Sequence, residues 1–273
     1  HFTSLPGESD FYRFQYLAEK ISDKYDVTLV TSDFHHRTKT FRIKSYKNEK
    51  YQIHLIHELG YKKNVGLDRL ISHRRFEKNI KFYLNNLEDS IDLIYCAYPT
   101  MGTASIAGKY CQKKGILFVL DIVDVWPESL KSVFSKYEKI VDFLLFPLSL
   151  YANRIYKLAD NLIAVSETYL ERALKGNPDA KEKAAVFIGT DAEYFDGLAN
   201  VGFMKPEGEF WISYIGTLSY SYDIPTVIKA MALLFVKYPM IKFKIMGNGP
   251  FETTFKDEAD KVQANVEFLG FLP

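Results

Sequence analysis

Short apolar runs alternate with longer helix-forming stretches through most of the chain. Residues 116–121 are almost continuously apolar, and residues 103–114 before them favour a helix that ends at Gly115. An apolar run of this length is typical of a strand buried on both faces of a parallel sheet. The alternation therefore predicts an α/β fold with parallel sheets.

The same pattern predicts elements along the whole chain. Helices are expected over 11–22, 103–114, 133–158, 167–174, 224–237 and 251–262. Strands are expected over 26–31, 91–96, 116–121, 161–165, 185–188, 210–215, 241–246 and 266–269. A strand is also expected upstream of His1, because the chain opens on a loop followed by a helix.

Residues 196–209 are richer in Gly and Pro and lack periodicity, which is typical of a linker. We therefore expect two domains, 1–200 and 201–273. The βαβαβ pattern after the linker predicts the first half of a doubly wound domain in the second of them.

Composition excludes several classes of protein. The 273 residues are 47% hydrophobic, with 35 Lys and Arg against 34 Asp and Glu, which excludes a disordered chain and a globally basic nucleic-acid binder. Two cysteines exclude a disulfide scaffold and a multi-cysteine zinc site. The longest apolar run, over 140–152, is shorter than the ~20 residues that cross a bilayer.

Charge is distributed unevenly despite the net value of +1. Residues 36–86, called the basic segment below, hold 13 Lys and Arg against 4 Asp and Glu and include many aromatic residues. Such a segment favours an anionic partner, either a membrane leaflet or a lipid diphosphate, although a solvated helix face would have the same composition. No nucleic-acid-binding module is recognisable. His54, His57 and His73 lack a zinc spacing and are interpreted as surface residues.

Residues 140–158 form a strongly apolar stretch with Pro147 inside it. Two interpretations are open, a membrane-seated segment and a core helix kinked at Pro147, and we favour the core helix.

Three consecutive predicted strands of the second domain each end in glycine. The loops begin with Gly216 and Thr217, with Gly247, Asn248 and Gly249, and with Gly270 and Phe271; glycines there let a ligand approach the main chain. Turn geometry alone is the alternative explanation. A dinucleotide G-x-G-x-x-G fingerprint is absent because Glu252 stands in the third glycine position, and no P-loop occurs.

Acidic residues follow the predicted strand 116–121. Asp121, Asp124 and Glu128 are candidates for a base, a metal ligand or a contact to a sugar hydroxyl. Alternatively, the aspartates bond to main-chain amides in a tight turn.

Six motifs together resemble a known family. They lie at 121–129, 165–167, 189–195, 214–218, 247–250 and 268–271, in the order that the family has them. The chain resembles the family 4 nucleotide-sugar glycosyltransferases of bacterial capsule and O-antigen synthesis. The D-x-x-D-x-W-P-E-S stretch is similar to the branch that transfers acetamido sugars.

The resemblance implies two Rossmann-like domains of GT-B type facing across a cleft, of which the C-terminal one is truncated here. The N-terminal domain would hold the acceptor and the C-terminal one the nucleotide-sugar, with no metal, no separate cofactor and retention of configuration. The implied donor-binding residues are Gly7 and Glu8, Gly216 and Thr217 in the opposite loop, and Asn248, Gly249 and Phe271 near the nucleobase.

Three departures from the family pattern matter. Many members have His-Asp where this chain has Val123 and Asp124, so Asp124 is the expected catalytic residue. Residues 219–223 offer no Arg or Lys to the donor diphosphate. The paired glutamates of the family would fall beyond Pro273.

We expect a glycosyltransferase that acts on a saccharide, which would be linked to polyprenyl diphosphate, in surface polysaccharide synthesis. The protein would be cytoplasmic, or peripheral at the inner face of the plasma membrane. A sugar-nucleotide epimerase of the same fold would convert the sugar without an acceptor. A non-catalytic nucleotide-binding or membrane-recruited scaffold would bind without turnover.

Overall fold

The computed structural model describes residues 3–8, 13–42, 46, 48–64, 66–131, 138–198, 205–219 and 222–272. The chain divides into two compact units, residues 1–189 and 190–273. The predicted boundary between residues 200 and 201 lies outside the described residues.

The first unit begins with a parallel strand pair and two helices. Its elements are α1 (Arg13–Ile21), β1 (Thr28–Ser32), β2 (Phe34–His35), β3 (Thr40–Phe41), β4 (Gln52–Ile56) and α2 (Leu67–Asn85). Strands β1 and β4 pair in parallel, and β2 and β3 form a short antiparallel pair. The elements from β2 to α2 lie in the basic segment or beside it, where the sequence pattern predicts none.

A four-stranded parallel sheet in the order β5-β6-β7-β8 forms the rest of the first unit. Its elements are β5 (Leu93–Tyr98), α3 (Met101–Lys114), β6 (Leu117–Ile122), α4 (Glu138–Tyr156), β7 (Asn161–Ala164), α5 (Glu167–Gly176) and β8 (Glu182–Ala185). Gly115 caps α3 with φ 71°, as predicted. Strand β8 covers 182–185, whereas the predicted strand covers 185–188. Residues 182–185 make the pairing with β7, and Phe187 is 66% exposed.

Helix α4 is apolar over most of its length, but only its second half is buried. Ala152, Ile155 and Tyr156 are fully buried, whereas Phe143 is 81% exposed and Leu144 66% exposed. The prediction of a core helix is therefore wrong for the first half of α4. No helix among the described residues is long and apolar enough to cross a membrane.

The second unit is a three-stranded parallel sheet in the order β11-β10-β9 with helices between the strands. Its elements are α6 (Ala192–Leu198), β9 (Phe210–Ile215), α7 (Ile224–Lys237), β10 (Ile241–Met246), α8 (Glu252–Val262) and β11 (Val266–Gly270). Its most buried apolar side chains are Ile228, Met231, Phe243 and Ile245, together with Leu218 from the loop after β9. This packing fixes all three strands with their carboxyl ends at one edge of the sheet.

Candidate functional site

The loops at the carboxyl ends of β9, β10 and β11 are joined by main-chain hydrogen bonds. The amide of Leu218 donates to the carbonyl of Asn248 at 2.9 Å, and the amide of Gly247 donates to the carbonyl of Gly270 at 2.7 Å. The predicted residues Gly216, Thr217, Asn248 and Gly249 therefore lie together, and Phe271 follows directly in the third loop. Ligands in open parallel sheets bind at this kind of edge.

Two of the predicted glycines are required by contact between these loops. A Cβ atom at Gly247 would lie 1.9 Å from the carbonyl oxygen of Gly216, and one at Gly249 would lie 2.2 Å from the carbonyl oxygen of Leu218. Any side chain there would push the loops apart. At both positions the neighbouring main chain fills the space beside the glycine. This packing favours the alternative in which these glycines serve the geometry of the loops, and contact with a ligand stays a prediction.

The side chains at this edge are available to a ligand. Thr217 and Asn248 are exposed, and Phe271 is 59% exposed. A hydroxyl, an amide and an aromatic face together offer hydrogen bonds and a stacking surface. Helix α7 starts behind them with Asp223 as its N-cap, which accepts from the amide of Thr226 at 3.3 Å.

In the first unit, Gly7 and Glu8 lie in a turn before α1. Gly7 has φ 86° with open space where a Cβ would stand, so the turn itself favours glycine. The amide of Leu5 donates to a Glu8 carboxylate oxygen at 2.9 Å. Glu8 therefore closes this loop locally.

A buried arginine holds the Glu8 carboxylate. Arg42 donates through Nε to one oxygen at 2.8 Å and through Nη2 to the other at 2.9 Å. Burial alone would raise the pKa of Glu8, but the hydrogen bonds from Arg42 and Leu5 and the Arg42 charge lower it below the usual value. The structure gives Glu8 a role in positioning the Gly7 loop; contact with a donor stays a prediction.

Asp121 and Asp124 occupy different environments after β6. Asp124 is half-buried and accepts from the indole Nε1 of Trp126 at 3.0 Å. Asp121 is fully buried at the end of β6 and accepts from Nε of Arg13 at 2.7 Å and from the hydroxyl of Tyr95 at 2.6 Å. Its other oxygen, Oδ1, has no hydrogen-bond partner among the described residues.

The Arg13–Asp121 pair was missed by sequence reasoning. Arg13 opens α1 and also donates to the carbonyl of Val186 at 3.1 Å, so one side chain joins the start of α1 to the ends of β6 and β8. Burial and the neighbouring Asp121 carboxylate raise the pKa of Tyr95, which keeps this hydroxyl protonated as a donor. The pair is separated by 108 residues in sequence, and the pattern contains no signal that connects them.

Among the described residues, no group of three His, Cys, Asp or Glu side chains could hold a metal ion. Cys96 and Cys111 are free and buried, and burial raises their thiol pKa values to about 11 and about 12. Buried thiols of this kind are poor nucleophiles, since the thiolate is the reactive form.

Solved structures share this fold at low sequence identity. Anabaena Alr3699/HepE in complex with UDP is similar at TM-score 0.51 and 14% identity, over 81% of this chain and 56% of that one. The lipopolysaccharide outer core galactosyltransferase WaaB (apo form) is similar at 0.51 and 15%, over 91% and 68%. WaaG, a glycosyltransferase involved in lipopolysaccharide biosynthesis, is similar at 0.53 and 11%, over 96% and 68%.

The chain thus spans a little over half the length of the HepE structure, 56%. These likenesses confirm the predicted fold class, an α/β fold with parallel sheets of the GT-B type. The sequence profile of the family described as "Glycosyl transferases group 1" matches residues 202–273, most of the second unit. The predicted resemblance is confirmed for glycosyltransferases in general, and the capsule or O-antigen branch stays a prediction. No curated protein sequence matches the chain.

Proposed function

We propose that the protein transfers a sugar from a nucleotide-sugar to a hydroxyl of a saccharide acceptor. One observation carries the proposal. The residues that match the glycosyltransferase profile include all three loops that meet at the carboxyl edge of β9–β11. Transfer, rather than epimerisation or binding alone, predicts that nucleotide is released from a nucleotide-sugar only when an acceptor is present.

The donor would bind at the β9–β11 edge. Thr217 and Asn248 would hydrogen-bond the nucleotide, and the exposed ring of Phe271 would stack on the base. Main-chain amides and the N-termini of α7 and α8 would stabilise the charge that grows on the departing diphosphate. The nucleotide-sugar is a substrate here, and the proposal includes no metal and no separate cofactor.

Asp124 would contact the transferred sugar or the incoming hydroxyl, and transfer would retain the anomeric configuration. Its position two residues beyond the buried strand β6, half-exposed, supports this role. The fully buried Asp121 instead serves to position Arg13 and α1. Asp124 would thus contact the substrate, whereas Asp121 would hold Arg13 and α1 in place.

Substitution separates this role from a structural one. In the active enzyme, Asp124→Asn should lower turnover by about 100-fold or more, which is the usual size of an acid–base or positioning contribution. The affinity for the nucleotide should change by less than about twofold. Asp89→Asn, an exposed control, should leave both unchanged. Steady-state kinetics and calorimetry with the nucleotide make the measurement. Unchanged turnover in Asp124→Asn would remove this residue from the mechanism.

The acceptor would be linked to polyprenyl diphosphate, the sugar would be an acetamido sugar, and the product would enter surface polysaccharide. The protein would lie at the cytoplasmic face of the membrane. Two surfaces support a peripheral site: the basic segment, and the exposed first half of α4 with Phe143, Leu144 and Phe146. Exposed apolar side chains and clusters of basic residues are each typical of interfacial binding.

Vesicle sedimentation tests the membrane surface. Replacing Phe143 and Phe146 together by Ser should lower partitioning to anionic vesicles by about 30-fold or more, because the two buried rings together contribute roughly 2–4 kcal/mol. Replacing Leu233 and Val236 of α7, which are 77% and 85% exposed, is the matched control and should have no effect. Equal losses in both variants, or binding that salt does not weaken, would contradict this account.

A further inference from the structure

A second cluster of titratable side chains surrounds the buried ring of Tyr61 in the first unit. The Nζ of Lys39 lies 4.7 Å from the ring centroid, and the Cζ of Arg69 lies 5.7 Å from it. The rings of His36 and His73 are each 5.7 Å from the Tyr61 ring. Three separate segments supply these groups: the β2–β3 turn, the stretch after β4, and the first turns of α2.

The two cations converge on one asparagine. Lys39 donates to Oδ1 of Asn64 at 2.5 Å and also to the carbonyl of His36. Arg69 donates through Nη1 to the carbonyl oxygen of Asn64, also at 2.5 Å. Two like charges, which repel, thus lie close together.

The carboxylate that faces this cluster among the described residues is Glu58. It is fully buried, and its two oxygens accept from the hydroxyls of Ser32 at 2.5 Å and Ser72 at 2.6 Å. Lys39 and Arg69 therefore outnumber it, and the exposed Lys62 and Lys63 follow Tyr61 directly in the chain. The cluster has a positive net charge.

Burial and the positive charge of the cluster both act on the two histidines. Burial, followed by the charges of Lys39 and Arg69, lowers the pKa of His36 to about 4. Burial and the charge of Arg69 lower the pKa of His73 to about 4 as well. Both rings are neutral at pH 7, in an environment that strongly disfavours a further positive charge.

The start of α2 adds an independent feature. Its N-cap is Gly66, which has no side chain that could cap the amides of the first turn, and Arg69 lies in that turn. The N-terminus of a 19-residue helix carries positive partial charge from its main-chain amides. Lys39 and Arg69 are half-buried rather than fully exposed, so surrounding residues already restrict their side chains before a ligand binds.

We propose that Lys39, Arg69, His36 and His73 form a binding site for a phosphate or diphosphate group. This site lies within the basic segment and deepens the membrane role proposed for that segment, so in that respect it rests on the proposed function, whereas pyrophosphate binding can be measured without any transfer activity. The anion would accept from Lys39 and Arg69 in place of their contacts with His36 Nδ1 at 3.4 Å and His73 Nε2 at 3.5 Å, and it would relieve the repulsion between the two cations. His36 and His73 would then gain protons more easily, so their pKa values should rise when the anion binds.

Inorganic pyrophosphate tests the site in the full 273-residue chain. Histidine ring signals followed by NMR against pH should move to higher pKa for His36 and His73 on adding pyrophosphate. His54, which stacks on Tyr83 at 4.2 Å outside the cluster, should not move. Absence of shifts at millimolar pyrophosphate, or equal shifts in all three histidines, would overturn the proposal. This readout needs no substituted protein.

Matched variants give a second test by calorimetry. Lys39→Met should weaken pyrophosphate binding by about tenfold, the effect of one lost charge-assisted hydrogen bond, and Lys81→Met on the exposed face of α2 by less than about twofold. Lys39→Arg should retain binding. Lys39→Gln, which also removes the charge, replaces Lys39→Met if circular dichroism shows Lys39→Met unfolded. Equal losses in Lys39→Met and Lys81→Met would mean unspecific attraction only and overturn the site.

The source of the phosphate is separated by vesicles of phosphatidylglycerol and of phosphatidylcholine. If a lipid carries the phosphate, pyrophosphate should release the chain from phosphatidylglycerol vesicles, and Lys39→Met should bind them more weakly. If the ligand is a free phosphate compound, pyrophosphate should bind without releasing the chain from vesicles. A chain that binds neither pyrophosphate nor anionic vesicles has no such site.

Discussion

At the carboxyl edge of β9–β11, neighbouring loops contact one another through glycines and main-chain hydrogen bonds. At the carboxyl edge of β6, charged side chains make the contacts instead. Gly247 and Gly249 lie against the carbonyls of a neighbouring loop. Asp121 and Arg13 form a buried ion pair instead. Both edges belong to parallel sheets, where ligands bind, but they resist change in different ways.

The difference lies in what a substitution leaves behind. Removing one partner of a buried ion pair leaves a charge without water or a counter-charge. Adding a methyl group to a glycine loop introduces no unpaired charge but forces main chain to move. We therefore expect the β6 edge to fail through electrostatics and the β9–β11 edge through steric strain.

The largest effect should come from Arg13→Met. The fully buried Asp121 would lose its 2.7 Å partner, which should lower the free energy of unfolding by about 3–5 kcal/mol. Urea denaturation measures it. Lys181→Met, which removes a 71% exposed partner of Asp160, is the control and should cost less than about 1 kcal/mol. Equal costs would show that burial does not distinguish the two pairs.

Gly249→Ala should have the next largest effect. Its Cβ would stand 2.2 Å from the carbonyl oxygen of Leu218, so the loops must separate, at about 2–3 kcal/mol. Hydrogen–deuterium exchange should show faster exchange in β9 and β10 and no change in β6. Gly197→Ala in α6, where a Cβ meets open space, is the matched control and should leave exchange unaltered. Unchanged protection in Gly249→Ala would refute the steric account.

Glu8→Gln should have the smallest effect, and it depends on pH. Because the folded-state pKa of Glu8 is lowered, its stabilisation is present above its ordinary value of 4.5 and is lost as pH falls through the lower folded-state value. Glu8→Gln should therefore cost about 1–2 kcal/mol at pH 7 and almost nothing in strong acid. Urea denaturation at several pH values provides the measurement. A difference that persists at low pH would assign the loss to packing.

Sequence predicted the second unit better than the first, and the reason is physical. Strands β9 and β10 and helix α7 have the predicted bounds, because apolar runs and the Asp223 cap mark them locally in the sequence. The basic segment contains strands and a helix that no apolar run marks. Order there depends on contacts between distant residues, such as Glu58 with Ser32 and Ser72.

The candidate site follows the same division. The glycines after three strands were predicted, since strand ends can be recognised from periodicity. The reason for Gly247 and Gly249 could not be, because it depends on the carbonyls of a loop about 30 residues away. The exposed half of α4 also escaped prediction, since an apolar run does not reveal whether a partner surface lies beside it.

The loops of the β9–β11 edge separate what must stay constant in evolution from what is free to vary. Gly247 and Gly249 maintain the shape of the edge, while Thr217, Asn248 and Phe271 point their side chains away from the core that holds it. Under the proposed function, selection for a different nucleotide or sugar would act on these three exposed positions without requiring the sheet to be rebuilt. Such an edge allows a lineage to acquire new specificities at little cost in stability.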